Sequence, residues 1–260
     1  MPDKRKLEQE IDTVARWIVE ARHLVVFTGA GISTDSGIPD FRGPDGVWTR
    51  RDEGRPAPKW KVPADQIRPN AAHHALVELQ RAGKLQFLIT QNTDNLHRAS
   101  GIDPDRIAEL HGNGALVRCL GCDRQYPPAE VGWDRRRFGP GYRTDRPTPG
   151  QPACPACRGR LISSVVNFGD PMPERELTLS AEHAEQADLM LALGSSLVVQ
   201  PAASLVGLAV QSGAKLVLVN RGETPYDAIA TLRSSNGIGD VIPAAVERAK
   251  RALGVKHGPP

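Results

Sequence analysis

The stretch Gly29-Ala30-Gly31-Ile32-Ser33-Thr34-Asp35-Ser36-Gly37-Ile38-Pro39-Asp40-Phe41-Arg42-Gly43 follows the apolar run Leu24-Val25-Val26-Phe27-Thr28. A short, continuous apolar run bounded by glycine reads as a buried parallel strand. Closely spaced glycines at a strand end let backbone N–H groups approach a phosphate without Cβ obstruction. The opening resembles a dinucleotide fingerprint, but Thr34 stands where the third glycine of G-x-G-x-x-G would be. A Pro/Gly-rich stretch follows in place of a regular helix, which disfavours a nicotinamide dehydrogenase. So does the absence of a plain strand ending in Asp or Glu about 20 residues on.

Outward from this segment, strand and helix patterns alternate. Residues 5–22 carry Leu7, Ile11, Val14, Ile18 and Ala21 at helical spacing. Residues 43–69 show no sustained period, and a loop of that length inside a compact domain is usually functional or mobile. Asn70 caps a predicted helix over 71–82, and Leu85 to Thr90 reads as the next buried strand. After residue 165 the alternation resumes. Helices are predicted over 173–186, 201–211 and 241–253, with strands over 188–193 and 215–219. This order predicts an α/β fold with a parallel, doubly wound sheet. Residues 255–260 read as a frayed tail.

Residues 115–165 interrupt that pattern. They hold nine arginines against four acids, and all four cysteines of the chain. Cys119-Leu120-Gly121-Cys122 and Cys154-Pro155-Ala156-Cys157 form two CxxC pairs separated by residues 123–153. Two residues between thiolates let both sulfurs reach one ion at about 2.3 Å, and two such pairs complete a tetrahedron. Four sulfurs leave no open position, so the expected Zn2+, one per chain, is structural. Arg135-Arg136-Arg137 leaves nucleic-acid contact open as a second role of this segment. Such a run is more often a solvated face.

The net charge of +3 over 260 residues gives no warrant for global attraction to nucleic acid or membrane. No stretch approaches the length of a membrane span, and Met1 to Glu10 carries no signal-peptide core. A cytoplasmic protein without membrane partners is the expectation.

Further polar segments sit at strand ends, where open α/β sheets place ligands. They are Gln91-Asn92-Thr93-Asp94-Asn95-Leu96-His97, Leu193-Gly194-Ser195-Ser196 and Val219-Asn220-Arg221. Alone, each would read as cap or turn chemistry. Leu110-His111-Gly112-Asn113 precedes the first cysteine pair, at the joint of two expected domains. An imidazole there suits general-base work at neutral pH.

Taken together and in order, these motifs resemble the sirtuins, the NAD-dependent protein deacylases, over roughly residues 25–240. Gly43 to Trp48 is most similar to the sirtuin-6/sirtuin-7-like branch. The resemblance implies a discontinuous Rossmann-like NAD-binding domain over 1–114 and 166–260, with a small zinc-binding insert over 115–165. Within it, 32–69 would be a mobile cofactor-binding loop. It implies NAD as co-substrate and an acyl-lysine protein or peptide as partner. The products would be free lysine, nicotinamide and O-acyl-ADP-ribose. The implied catalytic residues are His111 as base, with Asn92 and Asp94 ordering the nicotinamide site. Cofactor-binding residues would be Gly29, Ala30, Gly31, Ser33, Thr34, Asp40, Phe41, Arg42, Trp48, Gln91, Asn92 and Asp94. The adenosine and phosphate side would add Gly194, Ser195, Ser196, Asn220, Arg221, Gly222 and Gly239, the last in a turn over 237–240. Val166, Phe168 and Gly169 would meet the substrate peptide along a strand over 165–170. Deacylases acting on acidic acyl groups carry a pocket Tyr and Arg, and this chain has no tyrosine before Tyr126. An uncharged acyl group is therefore expected. Mono-ADP-ribosyl transfer or NAD hydrolysis on the same fold is the alternative, and a zinc-ribbon or NAD-sensing module the non-enzymatic one. Asn95 stands where many members carry glycine.

Overall fold

The computed structural model describes residues 4–255. Residues 256–260, and with them most of the expected tail, lie outside the described residues, as do 1–3 of the N-terminal segment. In chain order the elements are α1 (Lys4–Glu20), β1 (Leu24–Thr28), α2 (Val47–Asp52), α3 (Ala71–Arg81), β2 (Leu85–Thr90), α4 (Leu96–Ser100), β3 (Ile107–Glu109), β4 (Val117–Cys119), β5 (Gln125–Tyr126), α5 (Arg135–Phe138), β6 (Leu161–Ser163), α6 (Glu174–Gln186), β7 (Leu189–Leu193), α7 (Ser204–Gln211), β8 (Lys215–Val219), β9 (Leu232–Ser234) and α8 (Ile238–Ala252).

Six strands form one sheet in the order β3-β2-β1-β7-β8-β9. Strand β1 pairs in parallel with β2 and β7, and β8 pairs in parallel with β7 and β9. The order reverses between β1 and β7, which is the doubly wound, Rossmann-like pattern. Its ligand crevice lies outside the carboxyl ends of the strands at that reversal. Every residue of β1 and β7 is buried, as continuous apolar runs require in a sheet covered on both faces. Side chains alternate between the faces. Leu24, Val26, Leu189, Leu191, Leu193, Val217 and Val219 join one core with α1, α3 and α8, while α7 packs against β7 and β8. Each fully buried Leu, Ile or Phe contributes about 1.5–3 kcal/mol, so the apolar strand runs dominate the stability of this sheet.

Helix α3 starts where expected because the Asn70 side chain accepts from the backbone N–H groups of Ala72 and His73. Several expectations need correction. The aperiodic 32–69 segment is not wholly irregular. A 3-10 turn covers Ala30–Ser36, α2 covers Val47–Asp52, and another 3-10 turn covers Ala64–Gln66. Gly239 is not in a turn, because α8 begins at Ile238 with Gly237 as its N-cap. Residues 165–170 form no strand. Gly169 has φ +89° and the Asp170 N–H donates to the Asn167 carbonyl at 3.0 Å, closing a turn.

By compactness the chain divides into two units. The first comprises Met1–Thr90, Leu96–Ala108 and Thr178–Pro260, and the second Gln91–Asn95 and Glu109–Leu177. The second carries a three-stranded antiparallel sheet, β5-β4-β6. Its small core joins Val117, Cys119, Trp133, Phe138, Cys154 and Leu161. No helix among the described residues is long and apolar enough to cross a membrane.

Candidate active site

In the first unit, the loops after β1 and β7 meet at backbone distance. The Gly29 N–H donates to the Leu193 carbonyl at 3.0 Å, and the Gly31 N–H to the Gly194 carbonyl at 2.8 Å. A Cβ on Gly31 would lie 2.6 Å from the Gly194 Cα, and one on Gly29 would lie 2.7 Å from the Gly194 oxygen. Only glycine admits this approach, and Gly194 also needs its left-handed φ of +65°. Two glycine-walled strand ends at the point where strand order reverses make a cradle for a dinucleotide.

The remaining sequence-predicted residues of this unit arrange around that cradle. Thr34 Oγ1 donates to the Gly31 carbonyl at 2.9 Å, so the residue replacing the third fingerprint glycine closes the 3-10 turn. Ser33 is buried. Asp40 Oδ1 accepts from the Gly43 N–H at 3.0 Å, and the Trp48 N–H donates to the Phe41 carbonyl at 2.8 Å. These bonds bring three side chains together. The Phe41 and Trp48 rings lie 5.1 Å apart, and the Arg42 guanidinium sits 4.4 Å over the Trp48 ring. Phe41 remains half exposed.

On the β7 side, Ser195 Oγ accepts from the Leu197 N–H at 3.1 Å. Leu197 is buried at φ +54°, a strained conformation for a bulky residue of the kind that concentrates at ligand loops. Ser196 is partly exposed beside it. After β8, Asn220 Nδ2 donates to the Gly222 carbonyl at 2.9 Å, and Arg233 Nη2 donates to the same oxygen at 2.7 Å. A Cβ on Gly237 would approach Arg221 Nη2 at 3.6 Å, and one on Gly239 would meet Asp35 Oδ2 at 2.6 Å. Thus Gly239 packs on the β1 loop through the first turn of α8.

In the second unit, His111 Nδ1 lies 3.0 Å from the Gln91 carbonyl oxygen. A carbonyl only accepts, so Nδ1 carries the proton and Nε2 of the neutral ring holds the free lone pair. Burial pushes the His111 pKa below its ordinary value, partly offset by the bond to Gln91. The ring is therefore a neutral base at pH 7. The His111 carbonyl accepts from the Val166 N–H at 2.9 Å. A Cβ on Gly112 would lie 1.7 Å from the Ser164 oxygen, at φ +74°. Only glycine lets the His111 and Val166 segments run this close. Phe168 is 85% exposed at the following turn, and Gly169 supplies that turn. Asn92 is buried, while Asp94 is partly exposed.

Sequence reasoning missed the group that fixes this second unit's loops. Asn113, fully buried, donates through Nδ2 to Glu109 Oε1 at 2.6 Å and to Asn95 Oδ1 at 2.9 Å, and its Oδ1 accepts from the Ala115 N–H. Asn95 adopts φ +66°. This explains its replacement of glycine, because Asn enters the left-handed region more readily than most residues.

The four cysteines also lie in the second unit. Their sulfurs all fall within 4.8 Å of one another. Cys119 and Cys157 Sγ are 3.4 Å apart, and Cys122 and Cys154 Sγ 3.7 Å. A tetrahedron with Zn–S bonds of about 2.3 Å has edges of about 3.8 Å, so the set fits zinc. The N–H groups of Gly121 and Gly159 donate to Cys119 and Cys157 Sγ, and Tyr126 Oη lies 3.4 Å from Cys154 Sγ. Donors on sulfur suit thiolates rather than disulfides.

The profile of the family described as the Sir2 family matches residues 29–59 and 57–201, which include the glycine cradle, His111 and all four cysteines. The chain belongs to the Sir2 family. NAD-dependent protein deacetylase 1 of Bradyrhizobium diazoefficiens is 39% identical over 255 residues, covering 91% of this chain and 95% of the relative. A structure described as the structural basis for the mechanism and regulation of Sir2 enzymes matches with a TM-score of 0.71 and 36% identity, over 94% of this chain and 99% of that one. A Sir2 complex with a p53 peptide and NAD+ matches with a TM-score of 0.66 and 34% identity, over 98% of this chain and all of that one. Membership accounts for the two features that a plain dehydrogenase fold lacks: the irregular segment after β1 and the four-cysteine unit.

Proposed function

We propose that this Sir2-family protein is an NAD-dependent protein-lysine deacylase that removes uncharged acyl groups. The observation that carries the reading is the tautomer of His111. The Gln91 carbonyl holds the proton on Nδ1, and Nε2 is left as a base. His111 takes a proton from a ribose hydroxyl, and general-base help of this kind contributes on the order of 10²–10⁴ in rate. Asn92 and Asp94 order the nicotinamide site, with Gln91 beside the ribose.

Gly29, Ala30, Gly31, Ser33 and Thr34 cradle the pyrophosphate, and Gly194, Ser195 and Ser196 serve the same dinucleotide from the β7 loop. Asn220, Arg221, Gly222 and Gly239 hold the adenosine end. Asp40 shapes the loop that presents Phe41, Arg42 and Trp48, and this cluster, two tilted rings with the guanidinium over Trp48, shields the sugar from water. When bound, NAD would supply an ADP-ribosyl electrophile whose nicotinamide is cationic while attached and leaves as the neutral base, the positive charge passing to the ribose, so the site needs no acid to expel it. Val166, Phe168 and Gly169 meet the acyl-lysine peptide, mainly through the main chain, which gives affinity with little sequence selectivity. Cys119, Cys122, Cys154 and Cys157 hold a structural zinc with all four positions filled.

The reading assigns 1–114 and 166–260 to NAD binding, 115–165 to zinc, and 32–69 to a loop that closes on the co-substrate. It also implies a cytoplasmic setting, where thiols stay reduced. A panel of acyl-lysine peptides, assayed with and without NAD, tests it. Free lysine and O-acyl-ADP-ribose formed in equal amounts support deacylation. NAD consumption with labelled protein, or with free ADP-ribose alone, would replace it by ADP-ribosyl transfer or NAD hydrolysis.

A further inference from the structure

A buried polar chain runs beneath the glycine cradle, entirely within the first unit. Thr28 and Thr90 are register partners at the carboxyl ends of β1 and β2. Thr28 Oγ1 donates to Thr90 Oγ1 at 2.8 Å and lies 2.9 Å from His97 Nε2. With its one proton given to Thr90, the Thr28 hydroxyl accepts from His97, so Nε2 carries the ring proton. His97 packs against His73 with ring centroids 4.9 Å apart. His73 Nδ1 lies 3.0 Å from Asn70 Oδ1. The Asn70 amide is oriented by its Nδ2, which donates to the Ile32 carbonyl at 2.7 Å and to Ser36 Oγ at 3.0 Å.

These contacts bracket one element. Thr28 immediately precedes Gly29, where the chain leaves the sheet. Asn70 grips Ile32 and Ser36, within and at the end of the Ala30–Ser36 turn. Both ends of the dinucleotide turn are therefore tied to a single line of buried side chains. Thr28, His73, Thr90 and His97 are each at most 2% exposed. A hydrogen bond in such surroundings fixes geometry more firmly than one at the surface.

We propose that His97 is a positioning residue for NAD, an inference resting on the functional reading above. Through Thr28 it sets the point at which the turn departs from β1, and through its packing on His73 it couples that point to Asn70 at the other end. It touches no reacting atom. Burial keeps both rings neutral: His73 is pushed down to about 4, and His97 lies well below its ordinary value.

The test uses the full chain and two readouts, the NAD dissociation constant by calorimetry and the separate KM values for NAD and acyl-lysine peptide. In His97→Phe the ring packing is kept and the N–H is lost. Its dissociation constant and KM for NAD should rise about 3- to 10-fold, the weight of one hydrogen bond. The peptide KM and the kcat at saturating NAD should stay within about twofold of wild type. His97→Gln, which still offers an N–H to Thr28, should recover most of the loss. Thr28→Val removes the same bond from the other side and should match His97→Phe, so a misfolded His97→Phe does not stop the test.

Unchanged NAD binding in both His97→Phe and Thr28→Val would overturn the proposal. So would equal rises in both KM values, or a Gln variant no better than Phe. Wild-type protein that fails to bind NAD would overturn the deacylase reading itself. Wild-type binding with unaltered variants would overturn this inference alone.

Discussion

His111 Nδ1 donates to the Gln91 carbonyl across 3.0 Å, and this one contact leaves Nε2 with the ring's free lone pair, the nitrogen that the proposed mechanism uses as base. Burial, the larger influence, lowers the His111 pKa, and the Gln91 bond raises it in part. A lowered value means that the ring binds its second proton only at more acid pH than a free histidine. The ring is therefore mainly neutral at pH 7, and this form is lost as pH falls through a midpoint below 6.5. The kcat/KM profile for peptide deacylation should show a one-proton acid limb with its midpoint below that value. His111→Ala should keep the fold, lower turnover by roughly two orders of magnitude or more, and abolish the limb. A midpoint above 6.5, or retained turnover, removes His111 as the base.

The zinc site predicts a local loss that Trp133 reports, read in a chain whose other three tryptophans are replaced by Phe. Trp133 is buried in the same small core as Cys119 and Cys154. Elemental analysis should find one zinc per chain. Stripping the metal with a chelator, or replacing Cys119 by Ser, should expose Trp133 and shift its fluorescence to longer wavelength, because metal binding and folding of such units are coupled. Unchanged Trp133 emission after complete zinc loss would show that the core stands without the ion.

The elements legible in the sequence were those whose signal is local. Strands β1 and β7 are continuous apolar runs with sharp ends, β2 and β8 are apolar but for Gln86 and Lys215, and the Asn70 cap announces α3. Edge strands β3 and β9 hold three residues each, too few for a period to show. The first turn of α8 was concealed because Gly237 and Gly239 flank Ile238, and glycine signals a turn before it signals a helix. The polar segments at strand ends were legible as motifs. The contacts that orient them were not. The line from Asn70 through His73 and His97 to Thr28 joins residues of α3, α4 and β1, and the Asn95–Asn113 pair likewise spans 18 positions. Such pairs leave no periodic trace.

Asn95 carries two loads that substitution can separate. It holds φ +66°, and its Oδ1 accepts from Asn113 Nδ2. Asn95→Gly keeps the backbone conformation but leaves a donor of the buried Asn113 amide unpaired, so it should cost about 1–3 kcal/mol. Asn95→Ala loses the same bond and adds left-handed strain of about 1–3 kcal/mol on top of it. Urea denaturation of the three proteins should rank wild type, Gly, then Ala in falling midpoint. An alanine variant as stable as the glycine variant would contradict the strain argument.

The buried imidazoles make stability itself depend on pH. Burial, the main cause, and repulsion from His74 hold His73 down to about 4, whereas an unfolded histidine titrates near 6.5. Between these values the unfolded chain binds a proton that the folded chain refuses, so acid favours unfolding. Stability should be full above pH 6.5 and decline toward pH 4, by an amount on the order of 3 kcal/mol for this group. His97, shifted in the same direction, steepens the decline. Carboxylates held low by their partners, such as Asp188 and Asp227, lose their contribution only as pH falls further, which leaves the range from 6.5 to 5 to the histidines. His73→Gln keeps a side chain able to reach back to the Asn70 backbone in the capping box and removes the titration. Its urea midpoint should change less between pH 7.5 and 5 than that of the wild type, and parallel curves for the two proteins would mean that His73 is not the group being protonated.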